Sequence, residues 1–350
     1  MTYSFRNKIQ IDGIKIGDEE PCYIIAEIGI NHNGDIELAK KLIDGAVNSG
    51  ANAVKFQKRS LDELYKSDVL QDPTIESQGF EILIDVLKKV EFNNEQYHEI
   101  IKHCKEREIT FICTAWDKKS VEFLESLNVP AYKIASADMT NFPLIKNVIK
   151  TKKPIIMSTG MSTMNEIEKT VEFLKNEKAE FVLLHSNSTY PAPIESLNLS
   201  LIPHMEKKFD VPIGYSGHEL DIIPSIMAVN IGSVILERHI TIDKNMEGLD
   251  HAASLNLDEF SILVKNIREC ETAYGKPQKQ MTRGEVLQRE VLGKSIVCKE
   301  NIKQNEIFSL QNIEVKGPAK GVSPQYFYAI LGKKAKREIK KGNFILEEDL

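Results

Sequence analysis

Two histidines in the second half of the sequence have the position and the chemistry of metal ligands. His218 ends the apolar run VPIGYSGH, and His239 lies in the run SVILERHI beside Glu237. Polar groups at the end of a buried strand cost free energy unless a partner compensates them. Neighbouring strands lie about 5 Å apart, so the two imidazoles can share one divalent ion. With oxygen ligands nearby, Mn²⁺ or Mg²⁺ suits the pair at least as well as Zn²⁺. The alternative to a metal site is that both histidines are hydrogen-bonded residues of the core.

Lysines and hydroxyls end most of the other apolar runs. The cations are Lys55 and Lys133. The neutral donors are Thr114, Ser136, Ser158, Ser188 and Ser216. Fixed cations beside neutral donors suit a phosphate and a carboxylate, so they predict a small dianionic substrate. A single serine in such a place is more often a turn former, and it is the convergence of cations, carboxylates and imidazoles that favours a site.

These side chains need a scaffold that gathers the ends of strands. Short apolar runs bounded by turn residues occupy residues 22–29, 51–57, 110–116, 131–136, 154–160, 180–186, 211–218 and 233–240. Segments with apolar residues three and four apart, typical of amphipathic helices, separate these runs. The alternation predicts an α/β fold, a (β/α)₈ TIM barrel, whose active site lies at the carboxyl ends of the strands.

Two further pieces flank the barrel pattern. Residues 7–17 alternate around Asp12-Gly13, which predicts an N-terminal hairpin that closes the bottom of the barrel. After a barrel domain over 1–275, the polar stretch 276–290 indicates a linker. Residues 291–350 contain short strands and turns, which predict a small β-rich domain.

The composition limits the classes of function. The formal net charge of −6 comes from mixed acids and bases, so we expect no nucleic acid and no membrane as partner. The five cysteines are scattered and odd in number, which is typical of reduced thiols in a cytoplasmic protein. The N-terminal residues lack the apolar core of a signal peptide.

Several motifs, taken together and in order, resemble the sialic acid synthase family with its legionaminic and pseudaminic acid synthase relatives. They are IIAEIGINHNGD, VKFQK, YKIAS, STGMSTMNEI, STYPAP, IGYSGHE, LERHIT and DKNMEGLDHAASL. The resemblance runs from about residue 20 to the end, where LGKSIVCKENIKQNEIFSLQNI is similar to that family's antifreeze-like (SAF) domain. It implies the condensation of phosphoenolpyruvate with an N-acetylated hexosamine, typically N-acetylmannosamine, to a nine-carbon 2-keto acid. It also implies a divalent metal and a domain-swapped homodimer.

The resemblance assigns roles to particular residues. His218 and His239 would bind the metal, and Glu27 would handle the sugar or a proton. The metal would polarise the open-chain aldehyde for attack by C3 of phosphoenolpyruvate. The residues implied to hold phosphoenolpyruvate are Lys55, Thr114, Lys133, Ser136, Ser158, Ser188 and Ser216, and those implied to hold the sugar are Gln57, Tyr190 and Asp250.

The sequence departs from the family pattern at some positions. Gly317 replaces an arginine that many bacterial members direct into the sugar site, and Lys316 or Lys320 could serve instead. Asp138 and Ser188 resemble the animal branch, which uses the 6-phosphorylated sugar. The basic pair at residues 58 and 59 could meet that phosphate, although solvated loop charges are the commoner role.

Alternation of side chains along the last strand makes a separate prediction. Glu237 and His239 should point into the barrel, while Arg238 should pair with a carboxylate between strand and helix. Glu237 then serves the site directly or neutralises a lysine such as Lys133.

Two alternatives to the N-acetylmannosamine reaction stay open. The enzyme could use a different acceptor sugar, or the protein could be a carbohydrate-binding module on a barrel without catalytic activity.

Overall fold

The computed structural model describes residues 8–76 and 80–350, and its first unit is a closed barrel of eight parallel strands. The strands are β3 (Tyr23–Gly29), β4 (Ala53–Lys58), β5 (Thr110–Ala115), β6 (Tyr132–Ile134), β7 (Ile155–Ser158), β8 (Phe181–Ser186), β9 (Ile213–Gly217) and β10 (Ile235–Thr241). Each pairs in parallel with the next, and β10 closes the ring on β3. The short strand β11 (Leu255–Asn256) pairs in parallel with the end of β10. The predicted (β/α)₈ barrel is confirmed.

Helices follow the strands and cover the outside of the barrel. They are α1 (Ile36–Asn48), α2 (Leu61–Leu64), α3 (Ser67–Gln71), α4 (Phe80–Val90), α5 (Asn94–Glu106), α6 (Lys118–Ser126), α7 (Phe142–Ile149), α8 (Met164–Asn176), α9 (Leu201–Phe209), α10 (Ile223–Asn230) and α11 (Leu257–Tyr274). The long gap after β4 holds α2 to α5. Among the described residues, no helix is both long and apolar enough to cross a membrane.

The alternation of side chains along each strand divides the barrel into two apolar clusters. Val54 and Phe56 of β4 face outward and pack with helix residues such as Leu42 and Ile100. Ala53, on the other side of the same strand, belongs to an inner cluster with inward residues of the other strands. Lys55 and Gln57 continue that inward face toward the carboxyl end, because successive side chains point to opposite sides.

A hairpin closes the amino-terminal end of the barrel. β1 (Ile9–Ile11) pairs antiparallel with β2 (Ile14–Ile16), and Asp12 and Gly13 form the turn with φ values of 49° and 81°. Ile9, Ile11 and Ile16 belong to the inner cluster, and the Asp12 carboxylate accepts a hydrogen bond from Thr110 Oγ1 at 3.0 Å. The hairpin prediction is confirmed, except that residue 7 lies outside the described residues.

The chain separates into two compact units, Met1–Gly275 and Lys276–Leu350. The stretch expected to be a linker contains most of α12 (Arg283–Leu292), which begins with a capping box between Thr282 and Glu285. The prediction overlooked this helix because its residues are all exposed and have no buried face. The rest of the second unit comprises β12 (Ser295–Cys298), β13 (Ile313–Lys316) and α13 (Phe327–Ile330) around a small apolar core.

Candidate functional site

A network of buried charges occupies the carboxyl end of the barrel. Glu27 of β3 is in register with Lys55 of β4, and Lys55 Nζ lies 2.8 Å from Glu27 Oε1. Lys55 also donates to Thr114 Oγ1 of β5 at 3.0 Å. Gln57 Nε2 donates to the same Glu27 oxygen at 2.8 Å. Four inward side chains from three neighbouring strands therefore form one connected group.

Glu237 of β10, the strand that pairs with β3, extends this network. Its Oε1 accepts from Lys133 Nζ at 3.2 Å and from Ser216 Oγ at 3.2 Å, and it lies 3.6 Å from Lys55 Nζ. Both lysines and both glutamates, Glu27 included, are at most 3% exposed. The two expected roles of Glu237 thus coincide in space, since it neutralises lysines and lies at the same end as the candidate metal ligands.

Burial and mutual charge shift the pKa values of this group. Burial raises the pKa of Glu27 to about 7 against the opposing effect of Lys55. Burial alone would raise the pKa of Glu237, but Lys133 and Lys55 together lower it. Burial lowers the pKa of Lys133, whereas for Lys55 the two glutamates outweigh burial and raise it. Glu27 is consequently the carboxyl group able to exchange a proton near neutral pH.

The two candidate metal ligands lie side by side. The ring centroids of His218 and His239 are 5.4 Å apart, and neither residue is more than 6% exposed. His218 Nδ1 lies 2.6 Å from the carbonyl oxygen of Asn187, which can only accept, so Nε2 holds the lone pair. Tyr190 Oη lies 2.8 Å from that Nε2 and donates to it. Burial lowers the pKa of His218 to about 4, which keeps the imidazole in its ligand form.

His239 has an unused ring nitrogen. Burial, with His218 and Lys55 adding to it, holds the pKa of His239 well below its usual value. Its Nδ1 is buried without a hydrogen-bond partner, and the nearest carboxylate oxygen, on Asp250, is 3.7 Å away. No set of three His, Cys, Asp or Glu side chains arranged to hold an ion occurs in residues 8–76 and 80–350. Two imidazoles with open positions around them fit a catalytic rather than a structural metal.

Hydroxyl groups line the neighbouring part of the rim, around β7 and β8. Gly160 N–H donates to Ser136 Oγ at 3.1 Å. A Cβ at Gly160 would lie 2.3 Å from Ser188 Oγ and 2.9 Å from Ser136 Oγ, so only glycine leaves space for both hydroxyls. Ser158 Oγ and Ser186 Oγ are buried without partners. Unpaired buried donors of this kind are expensive unless a ligand binds them.

Some predicted residues lie apart from the charged network. The Asp138 carboxylate accepts from Asn141 Nδ2 at 2.9 Å, within the turn that follows β6. Lys58 and Arg59 correct an expectation, because they are only 9% and 7% exposed and are not solvated loop charges. In the second unit, Lys316 pairs with Glu314 of its own strand at 2.7 Å.

Arg238 faces the helices, as its place in the alternation predicts. Its guanidinium lies 2.9 Å from Glu219 Oε1 and donates to Ser225 Oγ at 2.7 Å. Tyr215 Oη donates to the other oxygen of Glu219 at 2.8 Å. The orientation of Glu237 and His239 into the barrel follows from the same strand.

Two features of the site were missed at the level of sequence. Asn187 acts through its backbone carbonyl, for which no side-chain pattern exists. Gly160 matters through the space it leaves. Arg59 was considered only as a partner of a sugar phosphate or as a solvated loop charge, although it continues the two-residue period of Lys55 and Gln57 on the inward face.

Comparison with known proteins identifies the family of the chain. The model of the NeuB family matches residues 42–279, and the SAF domain model matches residues 293–350. The N-acetylneuraminate-9-phosphate synthase of Homo sapiens is 38% identical over 336 residues, covering 95% of this chain and 94% of that protein. The N,N'-diacetyllegionaminic acid synthase of Campylobacter jejuni is 38% identical over 331 residues, covering 93% and 98%.

A solved structure shares the architecture as well as the sequence. The N-acetylneuraminic acid synthetase of Leptospira borgpetersenii, crystallised with citrate, superposes with a TM-score of 0.73 at 31% identity. The match covers 81% of this chain and 95% of that one. The resemblance inferred from the motifs is confirmed. The chain therefore belongs to the NeuB family, the family of the sialic acid synthases, and carries a SAF domain after its barrel.

Proposed function

We propose that the protein condenses phosphoenolpyruvate with N-acetylmannosamine to give a nine-carbon 2-keto sugar acid and phosphate. One observation carries this proposal. Among the residues that the structure describes, five buried side-chain atoms without hydrogen-bond partners lie at the carboxyl end of the barrel, on inward positions of its strands. They are Glu27 Oε2, Ser158 Oγ, Ser186 Oγ, Glu237 Oε2 and His239 Nδ1. Acceptors and donors left unpaired at one place are satisfied by a polar ligand that has both acidic and hydroxyl groups.

The cations and hydroxyls suit phosphoenolpyruvate. Lys55 and Lys133 place two ammonium groups on the same Glu237 oxygen, so an incoming anion finds preorganised positive charge. The phosphate and the carboxylate of phosphoenolpyruvate would share these lysines with nearby hydroxyls. The hydroxyl-bearing residues proposed for this role are Thr114, Ser136, Ser158, Ser188 and Ser216.

The acceptor sugar would lie on the side of Glu27. Gln57 and Glu27 offer an amide and a carboxyl group for sugar hydroxyls, and burial raises the pKa of Asp250 to about 6. Tyr190 is 43% exposed and lies against His218, so it forms a wall between the site and solvent. Glu27 is placed to move a proton at the reacting aldehyde.

His218 and His239 would hold Mn²⁺ or Mg²⁺. Both imidazoles are neutral and buried, and the unpartnered Nδ1 of His239 supports a ligand role for this pair. A divalent ion there supplies Lewis-acid polarisation of a carbonyl oxygen. The Asn187 carbonyl sets the tautomer of His218, as partners of metal-binding histidines commonly do.

We also propose a cytoplasmic homodimer in which the SAF domain of one chain covers the barrel of its partner. A module of about 60 residues has a small core and gains stability from packing against a larger surface. The five free cysteines suit a reducing compartment. Lys320 remains a candidate for the role of the arginine that Gly317 replaces.

A phosphate-release assay tests the proposed function. Purified enzyme with Mn²⁺ and phosphoenolpyruvate is given N-acetylmannosamine, its 6-phosphate, or either of two diacetamido-trideoxyhexoses that lead to legionaminic and pseudaminic acid. The relatives named above include both a 9-phosphate synthase and a legionaminic acid synthase, so each acceptor has a precedent. Lys133→Met should abolish release, whereas Lys146→Met, on the surface beside Glu177, should not. No release with any acceptor would favour the silent, carbohydrate-binding alternative.

A further inference from the structure

Two basic residues follow β4, and the structure uses them differently. Lys58 Nζ forms an ion pair with Glu91 Oε1 at 2.5 Å and contacts the carbonyl oxygen of Phe92 at 3.5 Å. The same ammonium lies over the rings of Tyr97 and Phe123, at 5.2 and 5.7 Å from their centroids. Its charge is therefore compensated inside the wall formed by the segment after β4. Lys58 has a structural role.

Arg59 is equally buried but has no ion-pair partner within the described part of the chain. No carboxylate of residues 8–76 or 80–350 lies within 4.0 Å of its guanidinium, although its backbone N–H donates to Glu91 at 3.3 Å. The guanidinium carbon lies 4.7 Å from the centroid of the Trp116 ring, which holds the planar group by stacking. Its Nη2 donates to Gln57 Oε1. Arg59 is 7% exposed, and its side chain donates to one neutral acceptor. Burying a charge in this way costs free energy, which suggests that the arginine has a function.

The consequence for Gln57 is a fixed amide orientation. A guanidinium can only donate, so the amide oxygen must face Arg59 and the amide nitrogen must face Glu27. Nε2 then donates to Glu27 Oε1 at 2.8 Å. In the reverse orientation the amide oxygen would face the oxygen of the ionised Glu27 carboxylate at that separation, and both atoms are acceptors. The hydrogen bonds therefore run in one direction, from Arg59 to Gln57 and from Gln57 to Glu27.

We infer that Arg59 is a positioning residue for the acceptor sugar, acting through the orientation of the Gln57 amide. The inference rests on the proposed function, in which Gln57 and Glu27 face the acceptor while Lys55 and Lys133 face phosphoenolpyruvate. Loss of Arg59 leaves the Gln57 amide free to rotate. The sugar then meets the N–H and the carbonyl oxygen of that amide in exchanged positions. The subsite for phosphoenolpyruvate is unaffected.

The experiment is a double-mutant cycle with two readouts. The proteins are the wild type, Arg59→Met, Gln57→Ala and the double variant, with Lys58→Met as a matched control and Arg59→Lys as the conservative change. Phosphate release gives KM for each substrate. Trp116 is the only tryptophan in the sequence, so its fluorescence reports binding of N-acetylmannosamine next to the Arg59 guanidinium without turnover.

The expected result is selective and non-additive. Arg59→Met and Gln57→Ala each raise KM for the acceptor sugar by about 10- to 100-fold and leave KM for phosphoenolpyruvate within about threefold. The double variant has a KM no higher than that of Gln57→Ala alone, because the two residues act as one unit. Arg59→Lys recovers most of the loss, since an ammonium also only donates. Lys58→Met lowers the melting temperature without changing the ratio of the two KM values.

Other results overturn the inference. Additive losses in the double variant would mean that Arg59 contacts the substrate directly, for example through an acidic group on the acceptor. Equal losses for both substrates would mean a structural role. If Arg59→Met does not fold, Arg59→Ala takes its place in the cycle, and it must raise KM for the acceptor sugar by itself while adding nothing to Gln57→Ala. A wild-type enzyme that releases no phosphate with any acceptor disproves the proposed function itself, and the inference falls with it.

Discussion

Glu237 and Arg238 are consecutive residues of β10 that point to opposite sides of the barrel wall, so changing each one separates chemistry from stability. Glu237→Gln preserves the shape of the side chain and removes its charge. Glu237 Oε1 lies 3.2 Å from Lys133 Nζ and 3.6 Å from Lys55 Nζ. With an effective dielectric constant of about 20, unit charges at such separations attract each other by about 5 kcal/mol per pair.

Loss of this attraction lowers the pKa of both lysines, and neutral amines hold an anionic substrate poorly. We expect Glu237→Gln to reduce kcat/KM for phosphoenolpyruvate at least ~100-fold, equivalent to about 2.7 kcal/mol of transition-state stabilisation. The fold should persist, because the amide still accepts hydrogen bonds from Ser216 and Lys133.

Arg238→Lys should have the reverse profile. Lysine keeps the positive charge beside Glu219 but loses the planar fork that also reaches Ser225 Oγ and the Asp221 carbonyl oxygen, at 2.7 and 3.1 Å. We expect the free energy of unfolding to fall by about 1–3 kcal/mol, the cost of buried groups left without partners. The rate per folded molecule should stay within about threefold of the wild type.

The assay is phosphate release at saturating Mn²⁺, with each rate divided by the folded fraction from urea unfolding of the same sample. Arg238→Lys should lose stability and keep its rate, and Glu237→Gln should do the opposite. An Arg238→Lys enzyme slower per folded molecule than Glu237→Gln would refute the assignment of the chemistry to the inward face of β10.

Three further predictions concern the metal, acid stability and assembly. His218→Ala or His239→Ala should abolish turnover with the fold intact, and chelator-treated wild type should regain activity with Mn²⁺; full activity after chelation would contradict a metal role. Burial lowers the pKa of His32 to about 3, so below pH 6.5 protons bind the unfolded state preferentially. The free energy of unfolding therefore decreases as the pH is lowered below 6.5. From pH 7.5 to 5, His32→Gln should lose about 2 kcal/mol less stability than the wild type in urea titrations, and equal losses would exclude this histidine as a cause. Light scattering should show a dimer that deletion of residues 276–350 abolishes, whereas an active wild-type monomer would disprove domain swapping.

Much of the barrel was predictable because its determinants are local. A parallel strand covered on both faces needs a short apolar run, and the period of two decides which side chains turn inward. Hence Lys55 and Glu237 could be assigned to the inner face, and Arg238 to the outer face, from their order alone. The Asp12-Gly13 turn was equally local, since both residues adopt positive φ readily.

The helix α12 and the turn containing Asp138 illustrate the limits of such patterns. α12 has no buried face, so its apolar residues show no relation to a core, and the capping box of Thr282 and Glu285 was its main local signal. Asp138 follows a strand as the other site residues do, yet its carboxylate bonds within its own turn. Position after a strand gives proximity to a rim but does not give the direction of a side chain.

The sequence by itself determined the eight strands, their inward residues and the family. Only the tertiary structure decided how those residues are partnered. Lys58 is neutralised by Glu91, 33 residues later in the chain, and Arg59 is left to orient Gln57. Likewise the tautomer of His218 depends on the Asn187 carbonyl from another strand end. Charge compensation and hydrogen bonding act over a few ångströms, between residues that are brought together only when the barrel closes.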